Sequence, residues 1–373
     1  MRNKIIITNE LMLSLIIFVP CVSTLLQVIT GSSNSLFSVP LYLFLFYIGI
    51  IANKSKNIKY WKFITAFMMI DISLWLYSCV ININSIDTVL LRMLKQHFGF
   101  VVPIFYVASN IRDFEMFEKY LILFSKFFSI LFFLMYIIFG KLSILDSYDM
   151  SLGYVLVTLS IILLASTFKR FNSISLILAC VDLFFALSFG SRGIIVVLCS
   201  CILLCIYFSK RKIKIYSVCI VTTVTILFVS LSLMGVFEDS RTIRLVTNPD
   251  TLLYLSGRDR IFNGLEPYLF NAPLLGNGIG ADRIVMGDYG LYAHNVFLEL
   301  LVSVGLLITI IIIAIGYSFV FRFLKGSFNL ALIVFFSLYL PLLFTWSIWT
   351  APNAWILLGL LCSNKLTQIK VNS

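Results

Sequence analysis

Apolar runs about as long as a bilayer is thick recur along the whole chain, separated by short polar stretches. A helix needs about 20 residues, at 1.5 Å rise each, to cross the hydrocarbon layer. The pattern predicts spans over 10–30, 36–52, 62–81, 88–109, 120–139, 151–168, 172–189, 193–209, 215–236, 294–320, 328–344 and 349–363. No small-residue cleavage site follows the first run, so it reads as an anchor. The expected fold is an all-α polytopic membrane protein of about twelve transmembrane helices. It divides into the first nine helices (1–236), one large loop (237–293), and three last helices with a tail (294–373).

The connecting segments sort by charge. One set holds Arg2 and Lys4, Lys54 to Lys62, Arg112 and Lys119, Lys169 and Arg170, Lys210 to Lys214, Arg322 and Lys325, and Lys365 and Lys370. The alternate set, Gly31–Ser35, Asn82–Asp87, Gly140–Met150, Gly190–Gly193 and Trp346–Ile348, is nearly free of positive charge. Cytoplasmic loops carry the Lys/Arg excess, so both termini are expected inside. The large loop then falls outside the membrane, where long segments escape the rule.

Composition agrees with this reading. The chain is 60% hydrophobic and 12% charged, with mean hydropathy +1.03, whereas soluble domains carry about 25% charge. The net charge of +11 does not indicate nucleic acid, because the cations sit in membrane-flanking loops. All eight cysteines lie in apolar runs, so no disulfide framework is expected, and Cys201 and Cys205 read as small buried hydrophobes.

The loop carries Arg241, Arg244, Arg258, Arg260 and Arg283 and no Lys. Arginine offers a rigid donor fork to phosphate and carboxylate; a solvated loop balanced by its acids is the plainer alternative. Ser256 and Asp259 have capping-box spacing. They predict a short helix with Ile261, Phe262, Leu265 and Leu269 on one face, suited to the membrane surface. Arg258 and Arg260 fall in its first turn, and Pro267 bends or limits it. Gly276-Asn277-Gly278-Ile279-Gly280 lacks the preceding strand that a dinucleotide loop needs.

Of the two histidines, His294 stands where the loop re-enters the membrane. A half-wet, half-dry imidazole suits proton acceptance; a helix-capping interfacial His is the competing reading. Glu299 is costly inside hydrocarbon and needs a partner or a polar cavity. Asp71 and Asp182 read as structurally paired or protonated groups in preference to catalytic ones, and His97 as a satisfied buried group or the lining of a polar vestibule. Arg192, in a very short outer turn, is either a snorkelling side chain or an anion clamp.

Ser191-Arg192-Gly193, then Ser256-Gly257-Arg258, then Asn271-Ala272-Pro273-Leu274-Leu275-Gly276-Asn277-Gly278, then His294-Asn295 opening a helix that reaches Gly305, occur in that order. This arrangement, over roughly 185–310, resembles the O-antigen ligase and O-antigen polymerase (WaaL/Wzy-type) superfamily. His294 to Gly305 has its His-x10-Gly spacing, and Arg241 to Leu245 fits its Arg-x3-Leu pattern. Phe262 stands where Trp is common.

The resemblance implies a GT-C-like glycosyltransferase in the bacterial plasma membrane, with a polyprenyl-pyrophosphate-linked oligosaccharide as donor and no cofactor. His294 or Glu299 would take the acceptor proton, and Arg192, Arg258, Arg241 and Arg260 would hold the diphosphate. The outer loops contain no Asp-x-Asp cluster for a divalent ion, so metal-independent chemistry is expected. Membrane lipid, a chain-length regulator and a flippase are the implied partners. Repeat-unit polymerase is the preferred activity, with transfer of finished glycan by a ligase as the alternative. A flippase is disfavoured because neither repeat symmetry nor broken helices are evident in the sequence.

Overall fold

The computed structural model describes residues 8–31, 44, 61–82, 89–140, 150–188, 192–208, 258–271, 274–286, 292–324, 337–343 and 347–362. The predicted spans 36–52 (Phe44 apart) and 215–236, and most of 328–344, lie outside these residues, as do Arg241 and Ser256. Regular structure among the described residues is helical throughout. Three helices there are long and apolar enough to cross a membrane: Phe114–Phe139, Leu152–Lys169 and Val296–Ala314. The pair Asn9–Ile17 and Val19–Thr30 makes a fourth if counted as one bent span, while Met68–Ile81, Ser173–Leu187 and Gly193–Phe208 are apolar but shorter. The chain is thus a helical membrane protein, and it divides into two compact units.

The first unit contains α1 (Asn9–Ile17), α2 (Val19–Thr30), α6 (Phe114–Phe139), α7 (Met150–Lys169), α8 (Ser173–Ser188) and α9 (Arg192–Phe208). The run expected as one span at 10–30 bends by 46° between α1 and α2. Pro20 lies in the first turn of α2 and cannot donate the backbone hydrogen bond that would continue α1. Helix α6 begins six residues before its predicted start, because the Asp113 side chain caps it by accepting from the Met116 N–H at 3.0 Å. Its charged first turns are paired: Glu118 meets Lys169 of α7 at 2.6 Å. Glu10 of α1 accepts the Asp113 N–H at 3.0 Å. Asp182 is buried in α8 and accepts from Ser129 Oγ of α6 at 2.5 Å, a structural pairing as expected. Six described cysteines are free thiols.

The second unit contains α3 (Trp61–Ile81), α4 (Leu91–Gln96), a π-helical turn (His97–Val101), α5 (Val102–Ser109), α10 (Arg258–Asn271), α11 (Ala281–Met286), α12 (Val296–Leu324) and α13 (Pro352–Cys362). Helices α10, α11 and α12 pack on one another, and α13 packs on α5. The predicted amphipathic helix is α10, with Pro267 inside it. Part of its stripe is covered by protein: Ile261 and Leu265 are buried against Ala281, Ala293 and Val302, with Leu269 packed beside them, while Phe262 is exposed.

Helix α12 is broken at Gly305 (φ 73°, ψ 179°), although no broken helix was evident in the sequence. Loop backbone fills the break. The Asn277 N–H donates to Val302 O at 2.8 Å, the Gly278 N–H to Ser303 O at 2.9 Å, and the Leu307 N–H to Leu274 O at 3.4 Å. A Cβ on Gly305 would lie 2.4 Å from the Leu274 carbonyl, and one on Gly276 would lie 2.5 Å from the Gly305 nitrogen. Both positions therefore demand glycine, for conformation and for space. The glycine-rich run 276–280 is a plug for a helix break.

Candidate functional site

The site in the second unit begins where the plug ends. Gly280 starts α11 in a left-handed conformation, and the next residues, Asp282 and Arg283, are buried. The Asp282 carboxylate accepts the Ala293 N–H at 3.0 Å, fixing the chain just ahead of α12. Its second oxygen is buried with no hydrogen-bond partner among the described residues. Burial pushes the Asp282 carboxyl up from its ordinary range, while the Ala293 N–H and the Arg283 cation pull the other way.

The Arg283 guanidinium lies over the Tyr292 ring, 4.7 Å from its centroid, and donates to Thr350 Oγ1 at 3.5 Å. The Tyr292 ring in turn lies against the His294 ring, centroids 4.0 Å apart and tilted by 35°. Tyr292 thus contacts both the cation and the imidazole. His294 has a positive φ of 49°, unique among described non-glycine residues. That conformation costs about 1–3 kcal/mol and must be held by its surroundings.

The competing reading of His294 as a helix cap does not hold. The cap of α12 is Asn295, whose Oδ1 accepts the N–H groups of Phe297 at 2.9 Å and Leu298 at 3.2 Å. His294 sits one residue before that cap and is half-buried.

Glu299 has a different setting. It is buried, and its carboxylate accepts from Ser347 Oγ and from the Ile348 N–H, the latter at 2.9 Å. Asp282 and Arg283 are within electrostatic reach. Both oxygens thus hold the turn that precedes α13. The same turn is held from the other polar group of the unit. His97 Nδ1 contacts Trp349 O at 2.9 Å, and its Nε2 contacts Asp71 at 2.9 Å. A carbonyl can only accept, so the His97 proton resides on Nδ1. His97 is a fully buried, satisfied group between Trp75 and Trp355, not the lining of a vestibule.

Arg258 and Arg260 occupy the first turn of α10, in the unit that holds His294. Arg192 opens α9 in the first unit. Arg283 is one of the five loop arginines and Asp282 one of the loop's acids, but nothing in the sequence set either of them, or Tyr292, apart as a site residue. The signal available was the apolar run Ile284-Val285-Met286 directly after Arg283, which marks its short helix as buried. Among the described residues no group of three or more His, Cys, Asp and Glu is disposed to hold a metal ion. Comparison of the chain with family models, with curated proteins and with solved structures finds no match.

Proposed function

We propose that the protein is a plasma-membrane glycosyltransferase that joins polyprenyl-pyrophosphate-linked oligosaccharide repeat units into a surface polysaccharide. About twelve spans and both termini in the cytoplasm belong to this reading, supported by the charge alternation of the loops; a GT-C-like arrangement belongs to it through the family resemblance alone. The observation that carries it is His294: an imidazole outside the helix cap, held in a costly backbone conformation, with its ring on Tyr292 and that ring under Arg283.

In the proposed reaction the acceptor hydroxyl oxygen attacks the anomeric carbon of the donor unit. His294 takes the hydroxyl proton as the new C–O bond forms. The bond from the anomeric carbon to the phosphate oxygen breaks, and the polyprenyl diphosphate leaves with the electron pair. The negative charge growing on it is met by arginine. Arg258 and Arg260 are the candidates in this unit, and Arg192 and Arg241 follow from the sequence. Glu299, with both oxygens engaged, serves to position the turn at Ser347 and Ile348. The carbonyls freed at the break of α12 are used by the loop backbone, which argues against an ion-coupled transport site there.

The test is purified protein in lipid nanodiscs with lipid-linked repeat units. The expected result is a ladder of polymer and release of polyprenyl diphosphate. His294→Ala should lower the rate by about 10²–10⁴-fold while still binding donor, the scale of a lost general base. Consumption of donor only when a second, non-identical acceptor is added would assign a ligase. Movement of intact donor across a vesicle membrane without transfer would assign a flippase.

A further inference from the structure

The break in α12 also marks a change in what covers the helix. Before Gly305, Val296, Glu299, Leu300, Val302 and Val304 are buried in protein, and Phe297 in the first turn is exposed. After it, Leu306 (45% exposed), Leu307 (55%), Ile310 and Ile311 lie open. An open apolar flank on a helix of membrane-crossing length is one that acyl chains cover. The run Leu306–Leu324 measures about 28 Å at 1.5 Å per residue, close to the ~30 Å hydrocarbon thickness.

The loop segment bound in the break shares this level. Leu274 O accepts from the N–H of Leu307, in the first open turn of α12. Leu274 is 63% exposed, Leu275 58%, and Phe270, at the end of α10, 75%. Non-helical backbone survives beside lipid only when its polar groups find protein partners. Here they do. Leu274 O, Asn277 N and Gly278 N bond to α12, as described above. Gly276 O accepts from Tyr77 OH at 3.3 Å, Asn277 O from Asn82 Nδ2 at 3.0 Å, and the Ile279 N–H donates to Ser78 Oγ at 2.6 Å.

We infer that Phe270, Leu274 and Leu275 form a wedge of the large loop that is immersed in the acyl region of the bilayer, continuous with the open flank of α12 at Leu306 and Leu307. The loop is therefore tied into the membrane beside the site, and the partner of this surface is lipid. The inference needs only that the protein resides in a membrane, and it stands whatever reaction the site performs.

A genetically encoded fluorescent amino acid at position 274 or 275 tests it, in full-length protein reconstituted into phosphatidylcholine vesicles. Position 310 is the lipid-facing reference, and Asn263, exposed on α10, is the aqueous one. Phosphatidylcholine brominated on its acyl chains should quench 274 and 275 to at least about half the extent at 310, and leave 263 nearly unchanged. Aqueous iodide should give the opposite order. Quenching of 274 and 275 by iodide and not by brominated lipid would overturn the inference. So would resistance to both, which would mean that protein covers the wedge. Two probe sites guard against a local failure to fold, and both side chains point out of the packed interior.

Discussion

At the scale of single residues, the strained His294 and the stacked Arg283 share one purpose, which is to fix an imidazole. A desolvated cation–π contact is worth up to about 2 kcal/mol, or roughly 30-fold in a rate that depends on the geometry it holds. In the proposed reaction, Arg283→Ala is therefore expected to lower kcat of polymer formation on that order with little change in KM, and Arg283→Lys to recover part of it. An unchanged kcat in Arg283→Ala would remove the stack from the mechanism. Asp282 makes a pH prediction. Burial raises its carboxyl in the fold, so the folded state holds more protons than the unfolded one from the ordinary carboxylate range (about 3.9) up to the raised value. Its protonated form supports folding fully below that range, and the support is lost as pH rises through the window. Asp282→Asn keeps an acceptor for the Ala293 N–H and removes the titration. Thermal unfolding between pH 4 and 8 should show the variant gaining on the parent as pH rises; parallel curves would refute the assignment. Arg283 was hard to read from sequence because it is one of five loop arginines, and only its packing separates it from the rest.

At the scale of elements, the decisive one is α12 with its inserted plug. The spacing from His294 to Gly305 was legible in the sequence, but its meaning was not. Nothing in the residues between them says that the helix opens at Gly305 and accepts chain from 274–278. Gly305 has a backbone geometry that is nearly glycine-only, and an added Cβ would strike the Leu274 carbonyl. Strain and overpacking together predict a loss of roughly 2–5 kcal/mol for Gly305→Ala, and a similar loss for Gly276→Ala. Gly316, where an added Cβ meets nothing within 4 Å, is the control in the same helix and should tolerate Ala. Melting of the three variants in detergent checks this; equal behaviour of 305 and 316 would show that the break is not needed. Helix α10 teaches the same lesson. Its apolar stripe was readable at Ile261 and Leu265, yet a stripe does not name the surface it meets, and here that surface is α11 and α12.

At the scale of the molecule, hydropathy placed most helices among the described residues to within a few residues, since length and apolarity alone set what can cross a bilayer. It missed the bend at Pro20 and the early start of α6 at its Asp113 cap, because both depend on backbone hydrogen bonding. Sidedness is a separate matter and is open to a direct check. Cysteine placed at Asn263 should react with an impermeant thiol reagent in intact cells, and cysteine at Lys56 or Lys212 only after permeabilisation. Labelling at 212 from outside would break the alternation. The second unit is also assembled from distant parts of the chain. Ser78 meets Ile279 across 201 residues, and His97 meets Trp349 across 252. A ribosome adding about 5–20 residues per second needs roughly 10–40 s to span the first of these gaps. For that interval the polar side chains of Ser78 and Asn82 stand in a growing membrane protein without the loop backbone they are built to bind. Biogenesis thus has a timed vulnerability at the end of α3, and a chain released before residue 280 presents that end, uncapped, to the membrane's insertion and degradation machinery.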